Sequence, residues 1–137
     1  MSNRVNTVTW TVRIAAAEAA AAGFVLIVSP LLFGRLIFGA ELSEPGQALG
    51  RFTGIALLGF VLASWPISAT ASQLISAVRA LAIYNVLAAI YLLYLGINGH
   101  LVGILLWPAI ALHAILALLV GRAWSLWIGT HRAVVSG

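Results

Sequence analysis

A carboxyl, an amide and an imidazole stand inside otherwise apolar stretches of this sequence, at Glu18, Asn85 and His113. Glu18 has Ile14, Ala15, Ala21 and Ala22 three and four residues away, so its own helix offers it no partner. An ionisable group in such a setting either pairs with another segment or serves a function. Brought to one level, the three groups form either a hydrogen-bond network that fixes helix pairing or a site for a proton or a ligand. Each bond of the first kind is worth about 0.6–2 kcal/mol in a membrane. Tyr84 and Ser64 fall near the same level. Tyr84, Trp107 and His113 around an apolar cleft would suit a quinone or a lipid.

His113 alone also invites haem or metal ligation. His100 and His131 lie outside the apolar runs, and Glu18 with His113 is too small a set for a closed zinc site. No metal is therefore expected. The sequence holds no Ser/His/Asp set, no Gly-rich phosphate loop and no paired carboxylates. No catalytic residue is assigned, and the chain leans away from being an enzyme.

The surroundings of these residues name their solvent. Of 137 residues 63% are apolar, and the charged ones are seven Arg and three Glu. A soluble domain runs at roughly 45–50% apolar and about 25% charged, and one of this size cannot hide so much apolar surface. That excludes a soluble enzyme and a disordered chain. The net charge of +4 comes from Arg residues spread singly, so nucleic acid is not an expected partner. The absence of Cys excludes disulfides and thiolate metal sites.

A helix needs about 20 mostly apolar residues to cross a bilayer. Four segments qualify, at about 14–33, 52–68, 80–97 and 101–120. The fold class is all-α: one domain over residues 1–137, an integral membrane bundle of four transmembrane helices with antiparallel up-down connectivity. Ser43-Glu44-Pro45 reads as a helix start that would extend the second span backwards. Asn98-Gly99-His100 reads as a tight turn, and residues 69–77 as a polar-leaning one. Residues 34–50 would cap one face, with Arg35 and Arg51 snorkelling or pairing with Glu41 and Glu44. On these boundaries Glu18 lies five residues inside its span, about 8 Å from the midplane. Asn85 lies six residues past Arg79, and His113 two residues past the centre of the fourth span, on the same side as Glu18.

The Trp65-Pro66 and Trp107-Pro108 pairs read as helix kinks, and Trp65 with Trp10, Trp124 and Trp127 as part of an aromatic belt. The second kink, about two turns into its span, would open space above His113. Residues 122–132 resemble a short surface-lying segment. The Ala face of the first helix, with Gly23, Gly54, Gly59, Ala88 and Ala89, favours close packing within the bundle or against a second copy. Gly50-Arg51-Phe52-Thr53-Gly54 has small-xxx-small spacing, but its Arg points to a surface position. The first span reads as retained, not as a cleaved signal peptide.

The run from Tyr84-Asn85-Val86-Leu87 through Tyr94-Leu95-Gly96, Leu105-Leu106-Trp107-Pro108-Ala109 and His113-Ala114 resembles small bacterial four-helix membrane proteins. The architecture is similar to the DoxX-like group, some of whose members are small subunits of quinone-linked oxidoreductases. The resemblance implies a bacterial inner-membrane location and carries over no functional residue. Small multidrug exporters are similar in having four spans and one Glu in the first.

Both termini are expected in the cytoplasm, since Arg4, Arg13, Arg79, Arg122 and Arg132 share one side against Arg35 and Arg51 on the other. The first functional reading is a non-catalytic accessory or scaffold subunit of an inner-membrane complex, or a homo-oligomer. The second is a protein binding a quinone, lipid or other small apolar ligand through Glu18, Asn85 and His113, with Tyr84 and Trp107. The third is a proton-coupled small-molecule transporter using Glu18.

Overall fold

The computed structural model describes the backbone of residues 2–65 and 71–135, and the side chains of residues 6–65 and 72–125. Helix α1 covers Ser2–Val28, α2 is the single turn Pro30–Phe33, and a π-helical turn follows at Gly34–Phe38. Helices α3, α4 and α5 cover Glu44–Ser64, Ala71–Asn98 and Leu106–Val135, and no strand occurs among the described residues. Among the described residues, four stretches are long and apolar enough to cross a membrane: Asn6–Val28, Glu44–Ser64, Ser72–Asn98 and Leu106–Ser125. The chain is an all-α, multi-pass membrane protein with four spanning helices. Ile104, Leu62, Leu118 and Ile97 are more than 70% exposed, as side chains facing lipid should be.

Several boundaries differ from the expected ones, each for a local reason. The first span begins earlier than residue 14 and breaks before residue 33. Ser29 leaves the helical region at φ −145°, and Pro30, lacking an N–H, opens a new turn. The chain then loosens into the π-helical turn, which Gly39 ends in the left-handed region at φ 68°. Helix α3 starts where Ser43-Glu44-Pro45 indicates, and the Ser43 hydroxyl accepts from the Gly46 N–H at 3.3 Å. It ends at Ser64 and not at 68. Residues 66–70, with Pro66 and the start of the expected 69–77 turn, lie outside the described residues. Residues 71–77 are not a turn but the opening of α4.

The fourth span starts at Leu106, not at 101. The Gly103 N–H donates to the Ile37 carbonyl and the Leu105 N–H to the Leu36 carbonyl, both at 2.9 Å. An apolar run stays non-helical here because the π-helical turn engages its backbone. The turn after α4 therefore extends from Gly99, at φ 71°, through Leu105. Pro108 falls in the first turn of α5, where a missing N–H breaks no helical bond, so the expected kink is absent. The backbone of 122–132 continues α5 to Val135 and is not a separate surface segment. The side chains of Trp127, His131 and Arg132 lie outside the described residues.

The helices pack as two close pairs, α1 with α3 and α4 with α5. A Cβ on Gly54 would stand 2.6 Å from the Gly23 carbonyl oxygen, and one on Gly50 would stand 3.2 Å from Pro30 Cβ. The small-xxx-small spacing therefore does seat α3 on α1 and its neighbour, while Arg51 points out from the other face. Gly59 plays no such part, since nothing lies within 4 Å of its Cβ position. The Ala face of α1 is internal: Ala15, Ala16 and Ala19 are fully buried.

Packing is uneven along the bundle. The buried core joins Val8 to Ala19 of α1, Val61 of α3, Leu74 to Leu81 of α4 and Leu116 to Ala123 of α5. All of these lie in the half nearer the described chain ends. The other half is hollow.

Candidate functional site

Glu18, Asn85 and His113 stand at the boundary between the solid half and the hollow one. Glu18 is residue 13 of the 23 in Asn6–Val28, Asn85 is residue 14 of the 27 in Ser72–Asn98, and His113 is residue 8 of the 20 in Leu106–Ser125. Each lies within one turn of the middle of its span. Glu18 is thus closer to the midplane than the expected boundaries place it, and His113 lies on the Leu106 side of centre, not beyond it.

Asn85 is fully buried, and His113 is 7% exposed. The Asn85 side-chain amide donates to the Leu81 carbonyl at 2.9 Å, one turn back on α4. That turns its Oδ1 towards His113 Nδ1, 3.0 Å away on α5. An amide oxygen only accepts, so Nδ1 must carry a hydrogen and donate it. The remaining ring nitrogen, Nε2, faces Glu18 Oε1 at 3.7 Å. This is ion-pair range, beyond a direct hydrogen bond. Glu18 Oε2 is buried with no hydrogen-bond partner. Tyr84 closes the group, its ring edge-on to His113 with centroids 5.6 Å apart.

Glu18, Tyr84 and His113 form the floor of a cavity of about 540 Å³, and Asn85 supports His113 from outside its lining. Its wall follows helical spacing: Glu18, Ala22 and Leu26 on α1; Leu49, Thr53 and Leu57 on α3; Tyr84, Ala88 and Tyr91 on α4; Ala109 and His113 on α5. Phe33, Ile37, Phe38 and Leu42, from the segment linking α1 to α3, also line it. The Phe33 and Phe38 rings pack edge to face at 5.8 Å. Leu49 and Tyr91 line the cavity yet are 65% and 59% exposed, which marks its mouth between α3 and α4. That mouth faces the lipid side of the bundle.

Of the five site residues expected from sequence, Glu18, Asn85, His113 and Tyr84 come together, and Trp107 does not. In the first turn of α5, Trp107 stands 3.4 Å from the Cβ position of Gly96 and is absent from the cavity wall. Ser64, also expected near the polar level, lines a separate cleft of about 310 Å³ with Trp65, Ser72 and Ser76. Sequence reasoning missed Tyr91 and the aromatic pair Phe33 and Phe38. Tyr91 sits two turns beyond Tyr84 on the same helix face, a signal that was there to be read. Phe38 reaches the cavity only because the chain breaks at Ser29-Pro30. Among the described residues, no group of three His, Cys, Asp or Glu comes together as a metal site would need.

Comparison with family models, with curated proteins and with solved structures finds no match for this chain.

Proposed function

We propose that this chain binds a small, largely apolar molecule within the membrane and holds its polar end at Glu18 and His113. The observation carrying this reading is the cavity of about 540 Å³ with a single polar floor. Ligand sites are typically apolar clefts of roughly 300–1,000 Å³ with a few convergent polar groups. A network serving only to pair helices needs no cavity beside it, so the hollow half weighs for ligand binding over a purely structural accessory subunit. The mouth between α3 and α4 favours a ligand arriving from the lipid phase. Quinones and lipids fall in that class, as the resemblance to DoxX-like proteins also suggests. On this reading the protein sits in a bacterial inner membrane, both termini cytoplasmic, alone, as a homo-oligomer or within a larger complex. Arg4, Arg13, Arg79, Arg122 and Arg132 support that orientation.

Native mass spectrometry of protein extracted gently from its own membrane tests the reading. A bound small molecule is expected in the unaltered protein and absent in Ala88→Trp, which fills the cavity from α4. Bare protein in every preparation would contradict it.

A further inference from the structure

We infer that the cavity takes an amphiphile with an ammonium head, and that this head displaces one proton carried by the Glu18–His113 pair. The inference rests on the ligand-binding reading above and adds the chemistry of the ligand. Asn85 Oδ1 occupies the Nδ1 hydrogen of His113, which leaves the lone pair of a neutral ring at Nε2 facing Glu18 Oε1. Two acceptors face each other across 3.7 Å, an arrangement that is repulsive unless one of the two groups carries a proton. With that proton the pair is neutral overall. Without it, the floor offers a carboxylate and an imidazole nitrogen, both acceptors.

A ligand head that suits this floor brings donors and a positive charge. An ammonium has three donors and no acceptor. The Tyr84 ring, 5.6 Å from that of His113, stands beside the floor, and aromatic rings attract cations. Thr53, the remaining hydroxyl in the wall besides the two Tyr, donates to the Leu49 carbonyl at 2.9 Å and is committed.

Among the described residues no other charged side chain lines the cavity. Among the titratable residues lining the cavity, α5 supplies His113, α4 supplies Tyr84 and Tyr91, and α1 supplies Glu18 alone. Arg13, five residues earlier on α1, lies against the Trp10 ring at 5.6 Å. Arg35, Glu41, Glu44 and Arg51 are not in the wall. The exchange balances: the ammonium takes the place of the proton carried by the pair, which leaves to solution, and the floor's net charge with its occupant is unchanged.

The test is calorimetric titration of the protein in lipid nanodiscs with phenylbutylamine and phenylbutanol, two probes alike except at the head. Empty nanodiscs correct for partition into lipid, and buffers of differing ionisation enthalpy count protons. The amine should bind about tenfold or more tightly than the alcohol and release about one proton per molecule bound. Glu18→Gln should remove both the preference and the release. Equal or tighter binding of the alcohol, or amine binding without proton release, overturns the inference and leaves the cavity reading standing. Failure of both probes to bind above empty nanodiscs counts against both. Should Glu18→Gln not fold, the matched probes and the buffer series on the unaltered protein decide alone.

Discussion

Asn85 and His113, 28 residues apart in the chain, meet across the α4–α5 interface at 3.0 Å. This contact decides which ring nitrogen is left for Glu18. Asn85 is itself held by the Leu81 carbonyl, so the imidazole is oriented from a rigid helix face and not from a loop. The carboxyl on α1 thereby gains a fixed counterpart on α5.

Asn85→Leu should cost about 1–2 kcal/mol, because it leaves the buried His113 Nδ1–H without an acceptor. Denaturation in mixed micelles measures the loss. Nitrogen NMR of the ring should show Nδ1 protonated in the unaltered protein and a mixture of tautomers in the variant.

Gly54→Ala should destabilise the protein by about 1–3 kcal/mol, since the new methyl meets backbone on α1 and must push the helices apart. Gly59→Ala supplies the internal control. It meets nothing within 4 Å and should be neutral or slightly stabilising, as Gly inside a helix costs roughly 0.5–1 kcal/mol relative to Ala. The same denaturation assay reads both, and equal losses would contradict the close crossing.

Gly103→Ala tests what holds the segment over the cavity. A Cβ there would stand 2.2 Å from the Leu36 carbonyl oxygen, where neither backbone can yield without breaking the bonds to Ile37 and Leu36. Hydrogen exchange at the Gly103 and Leu105 amides should accelerate at least about tenfold, while the amides of the α1–α3 crossing stay protected. Uniform acceleration across the bundle would show that the two regions are not separable.

The ion pair of Arg35 with Glu41 should matter little. Both side chains are more than 60% exposed, and such pairs contribute about 0–1 kcal/mol. Arg35→Gln should therefore leave the denaturation midpoint nearly unchanged, and a large shift would mean that Arg35 has a second partner.

The spanning helices were legible because about 20 apolar residues at a stretch have few other ways to satisfy their backbone. The polar level was legible too, since Glu18, Asn85 and His113 stand out against Ala, Leu and Ile. Residues 101–105 were not, for their apolarity suits a helix and only the distant Leu36 and Ile37 carbonyls turn them from it. Trp107 fails for a different reason: six residues before His113 on the same helix, it lies on another face, against Gly96 of α4. The cavity itself lay beyond local pattern. It arises because α1–α3 and α4–α5 close tightly within each pair and leave space between the pairs beyond the level where the Phe60 and Tyr84 rings meet at 5.6 Å, a property of packing that no single helix records.

An experimental structure in a lipid nanodisc, prepared without added ligand, tests the central claim most directly. Non-protein density should stand between α3 and α4, its polar end against Glu18 and His113 and its body along Ala88 and Tyr91. A bundle in which α3 and α4 close on each other and side chains fill that space would contradict the account.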